Sequence, residues 1–506
     1  MSQLKKGAIL SYVNIALTNL IGLTLTPFII KSLGESEYGL YTLIGALVAY
    51  FSLMDLGLNN TIVRFIAKYR TENDIITERK FLGSVFIIYF FISLAVVLLG
   101  IFFYFNLESF FKSSLDKVEL EKAKIMFAIL IFNIAITLPG GAFTAICNAY
   151  EQFVFPRVVT ILKYILRAIL IYGVLVYDGK AISIVVVDTI LNVSLILVVL
   201  VFVFTKIKIQ ITFKGIEMAL FKKIFKYSLW IFLMAIIGQF FWNTGQIVLG
   251  FKTNTTLIAI YGLGITLGGY YGGFAGAINT VFLPKATQMV LLKTNKELLD
   301  EMIKISRLLL VILSYILFAF ILFGKEFVNL WVGNEYADSW FVATVIMIVY
   351  TIPLLQNFAH SIIEAKNKVF YKVVIYFVFI SLGIFIGYLL IDNYGVKGMA
   401  LGIALGWLFA QVLLNVFFHK TLRLNMIQFF KKVFITKLFL LICIVFVVAL
   451  LIKNIEQGTW FLFCLKLVLF TILFLLSLPF GLNTYEKDLF KGMLKIRNIK
   501  NEKKNI

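Results

Sequence analysis

The sequence predicts an all-α integral membrane protein with about 14 transmembrane helices. Hydrophobic residues occupy 61% of the 506 positions and charged residues only 14%, and the mean hydropathy is +0.97. A water-soluble chain of this composition could not cover its surface with polar groups, whereas a bilayer solvates apolar side chains directly. Apolar runs of about 20 residues recur along the chain, and each can cross a hydrocarbon core of about 30 Å.

The apolar runs define the expected spans. The first run begins at Ala8 and has no small-residue cleavage pattern, so we expect a retained helix rather than a signal peptide. The predicted spans lie at roughly 8–30, 38–60, 81–105, 124–145, 157–177, 181–204, 227–250, 255–282, 305–323, 338–359, 369–391, 396–418, 434–452 and 459–480.

Basic residues alternate between the gaps that separate these spans. Of the 47 Lys and Arg residues, 34 fall in one set of alternate gaps and the two ends, 10 fall in the other set, and three lie within spans. Cytoplasmic loops carry the excess of Lys and Arg. The pattern therefore predicts a multi-pass protein of a bacterial inner membrane with both ends in the cytoplasm. Because the formal charge of +21 lies in these gaps, we expect no nucleic-acid partner.

The longest basic connection, Thr205–Lys226, divides the first twelve spans into six and six. Two bundles around a central cavity are typical of transporters. Direct similarity between the halves is weak, so an unsymmetrical bundle is the alternative. The predicted divisions are an N-terminal lobe at 1–205, a basic cytoplasmic linker at 206–226, a C-terminal lobe at 227–420, two accessory spans at 421–482 and a basic cytoplasmic tail at 483–506.

Motifs of catalysis and cofactor binding are absent from the sequence. There is no GxxxxGK[ST] loop for nucleotide phosphates and no HExxH helix. The longest external gap, near Asn106–Glu121, is too short for a folded domain. The three cysteines lie in apolar runs without CxxC spacing, and two histidines are too few to indicate a metal site. We therefore expect no enzyme, no cofactor and no metal, and we place the function within the membrane.

Two cations lie at membrane depth in the fifth span. At a rise of about 1.5 Å per residue from Pro156, Lys163 is about 10 Å deep and Arg167 about 16 Å deep. Their i, i+4 spacing puts both on one helix face. Ionisable residues at such depth usually face a cavity or a partner. Both are therefore candidate substrate-binding residues, and Asp188 on the next antiparallel span is a candidate partner for Arg167.

The second span carries a carboxylate, an amide and a cation. Asp55 and Asn59 share a face, but Asp55 and Arg64 are about half a turn out of phase on a regular helix. Both could face a cavity only if Gly57 breaks or bends the helix. Asn59 and Arg64 are candidate cavity residues, with plain headgroup anchoring as the alternative for Arg64. Asp55 and Asp188 are the candidate carboxylates for coupling to an ion gradient.

Polar stripes mark the first helix of each predicted half. They are typical of helices that line a hydrated cavity, although hydrogen bonding between helices is the alternative. The eighth span is rich in glycine, which predicts either close static packing or a sliding cavity wall. The stripes comprise Ser11, Asn14 and Thr18 in span one, and Gln239, Asn243 and Gln246 in span seven; weaker candidates are Gln356, Asn357, His360, Gln411 and Asn415.

Short motifs along nearly the whole chain resemble the polysaccharide transport family, which includes Wzx-type flippases of the multidrug/oligosaccharidyl-lipid/polysaccharide exporter superfamily. Each motif is modest alone, but their order and spacing together are specific. The matching segments are Tyr38–Tyr41, Asp55–Leu58, Arg64, Phe282–Lys285, Leu330–Gly333 and Tyr394–Gly398.

The resemblance implies a V-shaped cavity between two six-helix lobes that opens to one side at a time. The implied substrate is a polyprenyl-diphosphate-linked oligosaccharide repeat unit for O-antigen or capsule. The implied partners are membrane lipids, an H⁺ or Na⁺ gradient, a polysaccharide polymerase and chain-length machinery. Family members carry cavity cations, and Lys163 and Arg167 fit by type and depth.

Three alternatives remain open from the sequence. A multidrug or cation antiporter of the same fold would be expected to have a more acidic or apolar pocket. A lipid II flippase is a second relative, although the motifs favour the polysaccharide branch. A membrane polysaccharide polymerase or ligase would need a larger external loop with catalytic groups than this chain provides.

Overall fold

A computed structural model describes residues 3–214, 218–279, 282–366, 368–435, 444, 447–448, 450–451, 458–482 and 486–487. The regular elements found there are helices. In chain order they are α1 Gln3–Leu33, α2 Glu35–Phe51, α3 Leu58–Thr71, α4 Ile75–Phe111, α5 Lys117–Ala149, α6 Val154–Val176, α7 Ala181–Phe202, α8 Met218–Trp242, α9 Thr244–Lys252, α10 Thr255–Asn279, α11 Phe282–Leu292, α12 Asn295–Trp331, α13 Asp338–Leu355, α14 Asn357–Ala365, α15 Val369–Lys420, α16 Met426–Phe430 and α17 Trp460–Gly481.

The all-helical membrane fold is confirmed, but the count of fourteen spans is not. Within the described ranges, ten helices are long and apolar enough to cross a bilayer, or eleven if the bent pair α8 and α9 forms one span. One of the ten, α15, has 52 residues and contains both predicted spans 369–391 and 396–418. Most of the predicted thirteenth span, 434–452, and of the tail, 483–506, lies outside the described residues.

The described chain divides into two compact units. Unit 1 contains residues Met1–Ile265 and Phe370–Trp407, and unit 2 contains Thr266–Val369 and Leu408–Ile506. These units do not test the predicted division into an N-terminal and a C-terminal lobe, which stays a prediction.

Helix α5 of unit 1 shows how a proline is accommodated at membrane depth. Pro139 lies inside the helix and has no N–H for the carbonyl of Ala135, four residues earlier. The hydroxyl of Ser93 on α4 donates to that carbonyl at 2.8 Å. An unsatisfied carbonyl would be costly in hydrocarbon, so this bond stabilises the contact between α4 and α5.

The second span is broken in its middle. Helix α2 ends at Phe51, and a 3₁₀ turn, Ser52–Asp55, precedes α3. Leu56 and Gly57 both have left-handed backbone angles, with φ of 51° and 73°. Gly57 is also tightly packed, because a Cβ there would lie 2.7 Å from the side chain of Ile231. The helix is therefore broken at Gly57, which is the condition that the sequence analysis set for Asp55 and Arg64 to face the same cavity.

The seventh span is also broken, contrary to the prediction of one regular helix at 227–250. Helices α8 and α9 meet at Asn243 with a bend of 47°. The hydroxyl of Tyr50 on α2 bonds the hydroxyl of Thr244 and donates to the carbonyl of Gln239 at 3.3 Å. The carbonyl of Gln239 also accepts from the backbone N–H of Asn243 at 2.9 Å, so the Tyr50 hydroxyl is a second donor to this carbonyl beside the bend.

The two halves of α15 fold back on each other at Gly395, where φ is 52° and ψ is −131°. Glycines on the two halves meet backbone to backbone. A Cβ on Gly402 would lie 2.2 Å from the backbone nitrogen of Gly387, and one on Gly406 would lie 2.4 Å from the carbonyl of Phe379. Small residues permit this approach and the dispersion contacts that hold helices together in lipid.

Helices α12 and α17 pack against each other in unit 2. Tyr315 stacks on Phe470 with ring centroids 5.5 Å apart, and its hydroxyl lies 2.8 Å from that of Thr471. The apolar cluster at this contact contains Val311, Phe323, Val448, Phe470 and Phe474. In α10, a Cβ on Gly272 would lie 2.7 Å from the ring of Tyr350, which supports close packing at that glycine.

Candidate functional site

Arg167 and Asp188 form a two-point ion pair between α6 and α7. The Nε–Oδ1 distance is 2.5 Å and the Nη2–Oδ2 distance is 2.9 Å. Both side chains are about one-fifth exposed, at 23% and 21%. The short turn between the two helices makes them antiparallel and brings these residues to one level. The pairing that the sequence proposed is therefore confirmed, and the charge of Arg167 is locally neutralised.

Lys163, one turn before Arg167, has a neutral partner. Its Nζ donates to Oδ1 of Asn192. Nδ2 of Asn192 donates to Oδ1 of Asn133 at 3.2 Å, and Nδ2 of Asn133 donates to the hydroxyl of Thr189 at 3.0 Å. In the part of the chain that the structure describes, Lys163 makes no ion pair. The network orients this half-buried ammonium group without cancelling its charge.

Asp55 lies at the break of the second span and is held by neutral donors, which include the backbone N–H groups of Gly57 and Asn59. The hydroxyl of Tyr89 donates to Oδ1 at 2.8 Å, and Nδ2 of Asn59 donates to the same oxygen at 3.0 Å. Among the described residues, no Lys or Arg forms an ion pair with Asp55. Arg64, on α3 beyond the break, is exposed. Asp55 and Asn59 are thus brought together, and Arg64 is not part of their hydrogen-bond network.

The polar stripe of α1 points in part toward α6. Nε of Arg157 donates to the hydroxyl of Ser11 at 2.5 Å. The hydroxyl of Thr18 donates to the carbonyl of Asn14 at 2.7 Å, a bond within the helix. Oδ1 of Asn14 is buried and has no hydrogen-bond partner. Asn14 is therefore the residue of the predicted stripe whose side-chain oxygen has no hydrogen-bond donor.

The predicted stripe of span seven does not form one continuous face, because the helix breaks at Asn243. Nδ2 of Asn243 donates to Oε1 of Gln239 on the α8 side. Gln246, beyond the bend on α9, is buried and packs at the position where Gly262 lacks a Cβ. The i, i+4, i+7 spacing assumed a regular helix, and the 47° bend removes that periodicity.

An amide cluster lies at a third break, in unit 2. Gln356 is fully buried between α13 and α14. Its Nε2 donates to Oδ1 of Asn415 at 2.8 Å, and its Oε1 accepts from Nε2 of Gln411 at 2.5 Å. These three residues satisfy one another, so the cluster supports a packing role for Gln356, Gln411 and Asn415.

Several residues of these networks were missed from the sequence. Asn192 lies four residues after Asp188 and shares its helix face, a spacing that could have marked it. Asn133 and Tyr89 lie alone in long apolar runs, and no local pattern identifies them. Lys466, one of the three basic residues within the predicted spans, forms an ion pair with Glu326 of α12 at 2.9 Å. Among the described residues, no group of three His, Cys, Asp or Glu could hold a metal ion.

Comparisons with known proteins show the family of this chain. A family model described as "Polysaccharide biosynthesis protein" matches residues 4–290, more than half of the chain. The chain belongs to the polysaccharide biosynthesis protein family. A relative from Shigella flexneri named "Putative O-antigen transporter" is 23% identical over 402 residues, which cover 78% of this chain and 93% of the relative.

Solved structures show the same fold. The lipid II flippase MurJ, in an inward closed conformation, aligns with a TM-score of 0.66 and 16% identity over 96% of this chain and 99% of its own. The eukaryotic MATE transporter AtDTX14 aligns with a TM-score of 0.58 and 14% identity over 82% and 95%. The Vibrio cholerae MATE transporter VcmN, in its bent form, aligns with a TM-score of 0.54 and 13% identity over 83% and 96%.

These matches confirm the family resemblance and the class of membrane transport fold. The matched proteins are named as transporters and flippases rather than enzymes, in agreement with the prediction that this chain is not an enzyme. This family member is therefore a multi-pass membrane protein with the fold of flippases and transporters.

Proposed function

We propose that this protein moves polyprenyl-diphosphate-linked oligosaccharide repeat units from the cytoplasmic to the outer leaflet of a bacterial inner membrane. These repeat units would be assembled into O-antigen, capsule or a related polysaccharide. Support comes from the family match, the O-antigen transporter relative and the fold. Lys and Arg residues are concentrated in alternate gaps between the spans, which supports a cytoplasmic location of both chain ends. Two lobes, at 1–205 and 227–420, would enclose the cavity.

The positive charge of Lys163 is the chemical feature that best supports this proposal. A diphosphate must leave water to cross about 30 Å of hydrocarbon, and a cavity cation replaces part of its lost hydration. Asp188 already neutralises Arg167, whereas Lys163 is held by neutral Asn192. Lys163 therefore keeps a net positive charge for a phosphate, and Arg167 adds hydrogen-bond donors nearby. The other residues that we propose for the cavity are Asn14, Thr18, Asn59, Arg64, Gln239, Asn243 and Gln246.

Transport against a gradient needs an energy source, and the sequence has no nucleotide-binding loop. We propose that an H⁺ or Na⁺ gradient drives alternating access. Of the two candidate coupling carboxylates, Asp188 is engaged by Arg167, whereas Asp55 has only neutral donors. Asp55 is thus the better candidate. A polysaccharide polymerase and the chain-length machinery are proposed as functional partners on the outer side.

The test is complementation of a strain that lacks its repeat-unit flippase. The wild-type protein should restore surface polysaccharide and remove lipid-linked oligosaccharide from the cytoplasmic face. Lys163→Ala should reduce flipping by about tenfold or more, because one charge-assisted hydrogen bond contributes about 1.5–3 kcal/mol. The matched control is Lys112→Ala, at an exposed position in the predicted external gap.

Normal surface polysaccharide in the Lys163→Ala strain, at equal membrane abundance, would disprove the role of this cation. The fold likeness to MurJ favours lipid II as the second candidate substrate, since it carries the same diphosphate chemistry. Growth of a lipid II flippase-depleted strain on this protein would support that alternative, whereas rescue of surface polysaccharide alone supports the proposal.

A further inference from the structure

An apolar groove lies beside the end of α15 in unit 2. Its volume is about 450 Å³, and its walls come from the second half of α15, from the short helix α16 and from the end of α13. Val412 and Val416 of α15 and Ile427 of α16 line the groove and are exposed, and Ile352 of α13 lines it as well. An exposed apolar groove on a membrane-spanning helix is a surface that a hydrocarbon chain can fill.

The length of the groove matches one leaflet of a bilayer. Leu408 and Lys420 are the first and the last residues of α15 that line it. Twelve residues of α-helix at about 1.5 Å each span about 18 Å, and half of a hydrocarbon core is about 15 Å thick. A single phospholipid acyl chain therefore fits the groove along its length, whereas a polyprenyl chain is longer than the groove.

The body of the groove offers no free polar group for a ligand. Gln411 and Asn415 are the two polar residues that line it between its ends. The carboxamide of Asn415 accepts from Gln356 and donates to the carbonyl of Gln411, both at 2.8 Å, and Nε2 of Gln411 donates to Gln356 at 2.5 Å. Because these amides bond one another, the middle of the groove is suited to an apolar chain.

Positive charge is concentrated at the end of the groove where α15 ends. Lys420 lines the groove and Arg423 follows it; both are exposed, and neither forms an ion pair within the described ranges. His419 also lines this end, and its Nδ1 accepts from the backbone N–H of Met426 at 3.4 Å, so Nε2 carries the proton of the neutral ring. The sequence contains no Asp or Glu from 393 to 455. This end of the groove is therefore complementary to an anion.

We propose that the groove binds an anionic phospholipid, with one acyl chain between α15 and α16 and the phosphate at Lys420 and at Nε2 of His419. Basic pockets between membrane helices are typical sites for anionic headgroups. A zwitterionic lipid would bring a further cation to an end that already carries unpaired positive charge. The bound lipid ties α16 to α15 and is distinct from the exported substrate. Its leaflet rests on the orientation given under the proposed function, whereas binding itself does not.

The test uses the full chain, purified and reconstituted in phosphatidylcholine nanodiscs. A trace of phosphatidylglycerol with a photoactivatable acyl chain is included, and peptide mass spectrometry locates the label after illumination. The label should lie on peptides that contain residues 408–416 and 426–430. Unlabelled phosphatidylglycerol should displace it, and additional phosphatidylcholine should not.

Two pairs of variants separate the charged end from the apolar body. Lys420→Gln should weaken displacement by phosphatidylglycerol about fivefold, the effect of one Lys beside an anionic lipid. Its control is Lys431→Gln, an exposed Lys outside the groove lining, which should leave displacement nearly unchanged. Val412→Trp should fill the groove and remove the label, whereas Leu413→Trp, at the exposed neighbour that does not line the groove, should keep it.

Three outcomes would overturn the proposal. The first is equal displacement by phosphatidylglycerol and phosphatidylcholine, which would show unselective contact with the bilayer. The second is stronger displacement by a polyprenyl phosphate, which would assign the groove to the carrier lipid. The third is label that does not respond to Val412→Trp. Successful complementation without selective labelling refutes this site alone, and selective labelling without complementation refutes the proposed function alone.

Discussion

At the scale of single residues, the partner of each cation decides its chemistry. Lys163 and Arg167 have the same spacing, helix face and sign, and the sequence treats them alike. In the structure one is neutralised by Asp188 and the other is bonded to a neutral amide. The first is held in an ion pair, and the second has a neutral partner, which is why Lys163 is the cation that we propose for ligand binding.

Removal of one partner of the Arg167–Asp188 pair should cost more than removal of both. Asp188→Asn leaves a guanidinium that is 23% exposed without its counter-charge, and we expect a loss of about 3 kcal/mol in unfolding free energy. The double variant Arg167→Gln, Asp188→Asn should recover much of that loss. Chemical denaturation in mild detergent measures the three proteins, and equal losses in the single and double variants would contradict a coupled pair.

At the scale of helices, breaks and close helix–helix contacts determine which side chains share a face, and local sequence spacing does not predict them all. The i, i+4, i+7 pattern of span seven is real in the sequence, but Asn243 interrupts the helix and bends it by 47°. In span two, the helix is broken at Gly57, the residue at which the sequence analysis considered a break. Glycine signals conformational freedom in a sequence, whereas Asn243 carries no comparable signal.

The glycine contact within α15 predicts a strong substitution effect. A side chain at Gly402 would meet the Gly387 backbone at 2.2 Å, so Gly402→Ala should separate the two halves and destabilise the protein by about 2 kcal/mol or more. The matched control is Gly173→Ala in α6, where nothing lies within 4 Å of the added Cβ. That variant should be neutral or stabilising by up to about 1 kcal/mol. Thermal melts of both variants in one detergent make the comparison.

The start of α12 predicts a local pH dependence. Lys293 and the Thr294 cap bond the exposed Glu297 carboxylate and lower its pKa from 4.5 to about 2. Because the folded pKa is below the unfolded value, this contribution is complete above about pH 5 and is lost as the pH falls toward 2. The protection factors of the first-turn amides of α12, which correct for the pH dependence of intrinsic exchange, should therefore fall in acid, and Glu297→Gln should remove most of that change.

At the scale of the whole molecule, charged pairs tie the last described helix to unit 2. Lys466 of α17 and Glu326 of α12 are only 3% and 9% exposed. Arg307, nearer the other end of α12, bonds Glu486 at 2.7 Å and the carbonyl of Lys432 at 2.5 Å. The Lys466–Glu326 pair and the Tyr315–Phe470 stack pack α17 against α12 within unit 2.

A charge exchange tests this attachment. Glu326→Gln should lower stability by about 3 kcal/mol, because it leaves the buried Lys466 ammonium unpaired. The double variant Glu326→Lys, Lys466→Glu restores opposite charges at the same two positions and should recover part of the loss. Protease resistance and detergent melts report both effects, and a double variant no better than the single would argue against the pair.

Composition and local spacing are enough to predict the all-helical membrane character, the alternation of basic gaps and the position of Lys163 and Arg167 on one helix face. These follow from composition and from the helical repeat, which act over a few neighbouring residues. The tertiary structure decided that Asp188 neutralises Arg167 while Asn192 leaves Lys163 charged, that Tyr89 and Asn59 meet at Asp55, and that Lys466 is paired. Those outcomes depend on helices distant in the chain, because in lipid a buried polar group must find its partner on a neighbouring helix.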